Sequence, residues 1–203
     1  MTWKVEFYNE SVEEDILNMP PKIQARMIKL LELIEKHGAN LGPPHTEAMG
    51  DGLFEIRAKA QEGIGRSLYC YMKGKHIVVL HAFIKKSNKT PKQDLNLAKK
   101  GKWRLKMSIQ NLKEKAFKNS EVKTEYDLLE SEFSLIDALL SMRKKSGLTQ
   151  EEIAFRMGTQ KGNISRLEKG TGNPSWKTIQ NYAHACGFEI LMKIKAMHSS
   201  CGW

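Results

Sequence analysis

Residues 53–86 set cations at strand-like spacing: Arg57, Arg66, Lys85 and Lys86, with Tyr69, His81 and Phe83 among them. Guanidinium groups on neighbouring strands can clamp a phosphate from one side, and a nearby lysine adds charge. The ordinary pKa of a histidine lies near neutrality, so His81 competes with Lys85 and Lys86 for proton transfer. A lysine would first have to fall well below its usual value of about 10.4. Tyr69 and Phe83 can stack on bases, although aromatic residues in strands also serve as core. His81 has a plain alternative too, as a satisfied histidine at a strand end.

A second set of polar residues follows a different rule. In Leu148-Thr149-Gln150-Glu151-Glu152-Ile153-Ala154-Phe155-Arg156-Met157-Gly158, the small Ala154 sits where two helices would touch, and Gly158 permits a tight turn. Ile153, Ile164 and Leu167 fill a shared core. Gln160, Lys161, Asn163, Ser165 and Arg166 are left polar on the second helix. Gln and Asn can read adenine edges and Arg can read guanine, while Gln150 can anchor a backbone phosphate. The plain alternative is a solvated helix face in which Arg166, Glu168 and Lys169 make local ion pairs.

The elements that must hold these groups are legible in the periodicity. Residues 3–8 alternate as a first strand, and residues 11–19 and 20–37 repeat apolar positions at helical spacing, with Pro20 and Pro21 between them and Gly38 as the stop. Three strand-like runs follow at 53–60, 65–72 and 76–83, joined by short Gly-containing turns that imply antiparallel hairpins. A basic helix is expected over about 91–102. The order βααβββα predicts a twisted sheet with a helical hairpin on one face and its other face open. From 111 to 145 the pattern is helical, expected as two helices broken near 130–132. A short final strand is predicted over 187–195, a plausible dimer edge, so the fold class is α+β followed by an all-α unit.

The 203 residues suffice for two small domains, and 40% hydrophobic with 28% charged residues is ordinary for a globular chain. A net charge of +10 favours a polyanionic partner, nucleic acid before membrane surface. Residues 1–105 carry a net +6, residues 107–132 a net −2 and residues 133–203 a net +5. The acidic connector either lies against one of the basic bodies or is an ordinary solvated helix. Cys70, Cys186 and Cys201 have no paired spacing, which argues against a disulfide framework or a zinc site. No metal-ligand spacing or Gly-rich phosphate loop occurs, so no metal or cofactor is expected. No signal-like or membrane-length apolar run is present, and a cytoplasmic location is expected.

With these residues in view, two resemblances can be stated. Gly52-Leu53-Phe54-Glu55-Ile56-Arg57, Gly65-Arg66-Ser67-Leu68-Tyr69, the run from Ile77 through Lys86, and Lys89-Thr90-Pro91 resemble the RelE-like toxin superfamily, within it the HigB-type branch. Ser67 and Cys70 depart from the more apolar residues usual there, and the hairpin at 61–65 is somewhat long. The resemblance implies a ribosome-dependent mRNA endonuclease using attack of a 2′-hydroxyl on the adjacent phosphate. Such chemistry needs a proton acceptor, cations for the extra phosphorane charge and a donor to the leaving 5′ oxygen. The set Arg57, Arg66, Tyr69, His81, Lys85 and Lys86 is the candidate for these roles. Residues 133–187 resemble the phage-repressor-like DNA-binding family, and from Met107 onward the chain is similar to HigA-type antitoxins.

The expected organisation is therefore a toxin domain over 1–105, a toxin-contacting helical connector over 106–132 and a DNA-binding antitoxin domain over 133–203. Met107, where a second reading frame could begin, marks the seam. The expected partners are the ribosome and mRNA, operator DNA, the other half of the system and a second copy of the chain. The alternative is a transcription regulator whose N-terminal domain no longer catalyses; a binding scaffold without inhibition is a third reading.

Overall fold

The computed structural model describes residues 3–50, 52–72, 74–84, 107–170 and 172–192. The sheet has the order β2-β3-β4-β5-β1-β6, with β1 at Lys4–Phe7, β2 at Thr46–Gly50, β3 at Leu53–Ala60, β4 at Gly63–Met72, β5 at His76–Ile84 and β6 at Met107–Ser108. Strands β2 to β5 form an antiparallel meander, whereas β1 runs parallel to β5 with Val5 opposite Ile77. The parallel pairing follows from the helical crossover, α1 (Glu10–Leu17) and α2 (Pro21–His37). β2 was not expected. Only Thr46 of its five residues is buried, so this short polar edge strand offers no alternation to read. The basic helix expected over 91–102 lies outside the described residues.

The seam between the halves is sewn into the sheet: Phe7 pairs with Met107 and Glu6 with Ser108. Ser108 then caps α3 (Ile109–Ala116), its side chain accepting from the Asn111 amide. The helices α4 (Ser120–Leu128) and α5 (Glu130–Ser146) follow, so the region read as two helices contains three. Asn119 supplies the missed cap. The remaining helices are α6 (Gln150–Arg156), α7 (Lys161–Glu168) and α8 (Trp176–Ala185). No strand forms over 187–192. Phe188 packs instead against the cluster of Leu139, Ile153, Ile164 and Tyr182, and residues 193–195 lie outside the described part.

Helix α2 is the centre of the molecule. One side packs on the sheet, and the other receives α3, α4 and α5, so Ile23, Met27, Ile28, Leu31 and Ile34 are all fully buried. One hydrophobic core runs from Val5 and Ile56 through α2 to Leu112, Val122, Phe133, Ile136 and Leu140. Helix α5 serves two cores at once, because Leu139 faces the second cluster while Ile136 and Leu140 face the first.

Candidate nucleic-acid interfaces

Register puts Arg57 directly opposite Arg66 on β3 and β4, and places Glu55 and Leu68 on the same face two residues away. Two arginines paired this way repel each other unless an anion lies between them. Glu55, with a fully buried side chain, is that anion: Arg66 Nη1 donates to its Oε1 at 2.6 Å and Arg57 Nε donates to its Oε2. A second carboxylate, Glu47 of the unforeseen strand β2, pairs with the Arg57 Nη2 group. The Arg57 side chain is 42% exposed and the Arg66 side chain 12%. The first is thus a surface cation, and the second is held beneath it.

His81 joins this face through a bulge. The register of β4 with β5 shifts between Leu68 and Tyr69, so Leu68 faces His81 whereas Tyr69 faces Val79. The extra residue, Leu80, turns His81 and Phe83 away from the core occupied by Ile77 and Val79. Arg66 lies opposite Phe83, which makes His81 its diagonal neighbour at about 7–8 Å between Cα atoms. The imidazole stacks on Phe83 with ring centroids 5.2 Å apart, and its Nδ1 lies 3.8 Å from Asp15 Oδ2. The face is not bare, since Leu68 and Val78 on it are buried.

Tyr69 does not belong with these groups. It points from the opposite face into the core, fully buried, where its hydroxyl donates to the Ala39 carbonyl and its ring stacks on Phe54. Burial pushes the phenol well above its usual range. Lys85 and Lys86 lie outside the described residues. The brought-together set is therefore Arg57, Arg66 and His81, with Glu55 and Glu47 as groups missed in the sequence. Strict alternation was the available signal for Glu55, because it places Glu55 and Arg57 on one side.

The second interface is α6 and α7. Thr149 caps α6 in a capping box with Glu152. Gln160, Lys161, Asn163 and Arg166 are exposed and Ser165 is half-buried. Lys161 pairs with Glu151, and Asn163 accepts from Arg166 at 2.9 Å while donating to Thr159 at 2.7 Å. Gln150 is placed otherwise: it is buried, and its amide donates to the Pro43 carbonyl at 3.0 Å and to Glu168 Oε2 at 2.8 Å.

Glu168, 1% exposed, organises the end of α7. Besides Gln150 it accepts from Arg143 Nε at 2.6 Å, Arg143 Nη2 at 3.0 Å and the Tyr182 hydroxyl at 2.6 Å. Its backbone carbonyl accepts from His45 Nε2 at 2.7 Å, and Arg143 Nη2 reaches the Leu41 carbonyl at 3.4 Å. The segment 41–45 of the first half thereby holds the helix-turn-helix of the second. Burial lowers the His45 pKa, an effect partly offset by its bond to Glu168.

The halves also meet along α1 and α2 through reciprocal charges. Arg26 pairs with Glu132, Lys29 with Glu130 at 2.5 Å and Lys36 with Asp137 at 2.6 Å. In return Lys113 reaches Glu32 at 2.6 Å and Lys115 reaches Glu13 at 2.5 Å. The acidic connector does lie on a basic body, and that body is α2 and not the arginine-bearing face of the sheet.

Residues 14–102 match the family described as phage-derived protein Gp49-like, and residues 139–191 match the helix-turn-helix family. Over 51 residues the chain is 43% identical to Antitoxin HigA1 of Mycobacterium tuberculosis, a match covering 25% of this chain and 34% of that relative. Over 52 residues it is 44% identical to an uncharacterized HTH-type transcriptional regulator of Methanothermobacter thermautotrophicus, covering 26% of this chain and 75% of the relative. The chain thus spans about a third of the antitoxin's length and three quarters of the archaeal regulator's. No described helix is long and apolar enough to cross a membrane. With a Gp49-like domain ahead of the exposed helix α7, the chain belongs, through residues 139–191, to the helix-turn-helix family.

Proposed function

We infer that this chain is a type II toxin–antitoxin system in one polypeptide: a ribosome-dependent mRNA endonuclease restrained by a DNA-binding antitoxin that represses its own operon. The observation that carries the reading is the joint burial of α2, against the sheet on one side and α3 to α5 on the other. A half so deeply engaged is suited to restrain its partner. Arg57 and Arg66 supply the cations that a phosphorane needs, and His81 is the candidate among the described residues for proton transfer. Lys85 and Lys86 remain candidates for added charge or acid–base work. Gln160, Lys161, Asn163, Ser165 and Arg166 would read operator DNA from the major groove, and a second copy would supply the paired half-site. Both activities belong in the cytoplasm.

Expression of residues 1–105 alone is expected to arrest growth and cut ribosome-bound mRNA. Co-expression of residues 107–203 restores growth, and Arg57→Ala with Arg66→Ala abolishes the arrest. A fragment that accumulates folded yet leaves growth and mRNA intact refutes the reading. A second reading draws on the neutralisation of both arginines by Glu47 and Glu55: a transcription regulator whose N-terminal domain docks a partner without catalysis.

A further inference from the structure

Between the sheet and the end of the recognition helix lies a cleft of about 430 Å³, lined by His45, Glu47, Glu55, Arg57, Lys59 and, from the other half, Lys169. A volume in this range suits a ligand the size of one nucleotide and is too enclosed for a duplex. Three cations against two carboxylates leave the wall net positive, and the cations have donors to spare. Of the five N–H bonds of Arg57, Nε serves Glu55 and one on Nη2 serves Glu47, which leaves three. Lys59 and Lys169 are exposed, and their ammonium groups have no ion-pair or hydrogen-bond partner among the described residues.

Lys169 comes from the unit that would read duplex DNA, yet its position is fixed to the sheet side. It follows Glu168 directly, and the Glu168 carbonyl accepts from His45, which lines the same cleft. Arg143 and Tyr182 hold the Glu168 side chain from behind. The lysine is therefore presented to the cleft by a buried network and not by a flexible arm.

We propose that this cleft binds a phosphodiester of single-stranded RNA, with Arg57 and Lys59 on one wall and Lys169 on the other, so that the RNA site of the intact chain is built from both halves. The proposal rests on reading the sheet face as an RNA-handling surface, not on catalysis. It adds a residue of the helix-turn-helix half to that surface and extends the strand's path away from Arg66 and His81.

The test is fluorescence anisotropy of a labelled RNA hexanucleotide with the full chain, wild type against Lys169→Gln, Lys59→Gln and the double variant. Each single change is expected to flatten the dependence of log K on log salt by about 0.7, and the double change by about 1.4. A DNA hexanucleotide, a DNA duplex and inorganic phosphate, added as competitors, separate a single strand from a duplex and from a bare anion. Displacement by phosphate at equal concentration overturns the assignment to a strand. Unchanged affinity and slope in the double variant, with unaltered melting, overturns the site. So does a Lys169→Gln effect confined to duplex DNA. Growth arrest by residues 1–105, which lack Lys169, is unaffected by either result, so the two readings fail separately.

Discussion

Replacing Glu168 tests whether the recognition helix is held by a buried ion or merely by packing. The carboxylate is 1% exposed and accepts four side-chain hydrogen bonds, two from Arg143, one from Gln150 and one from Tyr182. In Glu168→Ala, Tyr182 keeps the Leu139 carbonyl at 3.3 Å and Gln150 keeps the Pro43 carbonyl at 3.0 Å. Arg143 keeps the Leu41 carbonyl at 3.4 Å, so the loss concentrates on a guanidinium 12% exposed and without a counter-ion. An uncompensated charge of this kind costs about 3–5 kcal/mol. For a chain of this length that lowers Tm by about 6–20 °C. Urea unfolding, followed in variants that keep only Trp176 in the second half or only Trp3 in the first of the four tryptophans, reads the change at both ends. The shared core makes the two probes shift together. The double variant Arg143→Met with Glu168→Leu removes both ions and is expected to cost less than Glu168→Ala alone. A loss below about 1 kcal/mol for Glu168→Ala, or a double variant equal to the sum of the singles, refutes the argument.

Burial lowers the pKa of His37 and of His45, against the hydrogen bonds to Asp137 and to the Glu168 carbonyl. Both start from 6.5 in the unfolded chain, so their contribution is complete above about pH 6.5 and is lost as pH falls through the folded values. The urea midpoint should drop between pH 7 and 5, and His37→Gln with His45→Gln should flatten it; an unchanged slope counts against this assignment. Gly65→Ala would place a Cβ 2.5 Å from Ile23 Cγ2 and 3.1 Å from Met19 Sδ, and should cost about 1–3 kcal/mol in urea unfolding; a neutral result means the sheet and α2 are not in firm contact. Asn163→Ala and Arg166→Ala should each weaken operator binding by about 1–3 kcal/mol, whereas Lys161→Gln should chiefly reduce the salt dependence, both read by gel shift; equal losses on operator and random duplex would deny the first two a base-reading role.

The strands and helices were legible where apolar periodicity is strong, as in α2 and in β3 to β5. What periodicity could not carry was the direction of individual side chains. Arg66 and Tyr69 are three residues apart and so point to opposite faces of a regular strand; grouping them as one site overlooked that parity. His81 is the reverse case. Regular alternation from Val79 would send it into the core, and only the bulge at Leu80 turns it toward Arg66, which depends on β4–β5 pairing. Gln150 shows a third limit, since its partners Pro43 and Glu168 are 107 and 18 residues away in sequence. Charge alone leaves the acid–base pairing of connector and α2 as one of two outcomes and does not give its location.

That location constrains how restraint would work under the toxin reading. The described connector residues pair Glu132 with Arg26 and Glu130 with Lys29, and Lys113 with Glu32 and Lys115 with Glu13, all in α1 or α2, while Asp137 of the following unit takes Lys36. They leave Arg57 partly exposed and send only Lys169 of the following unit to the cleft beside it. Under that reading, restraint from behind the sheet would act by bulk, denying the domain its place on the ribosome, and not by capping the arginines. The full chain should therefore still bind a short RNA while failing to cut ribosome-bound mRNA. Charge reversal at Glu130 and Glu132, which breaks the Lys29 and Arg26 pairs, should loosen the second half and raise cleavage without changing short-RNA affinity more than about twofold. If the reversal instead raises RNA affinity tenfold, the connector shields the cations and the steric account is wrong.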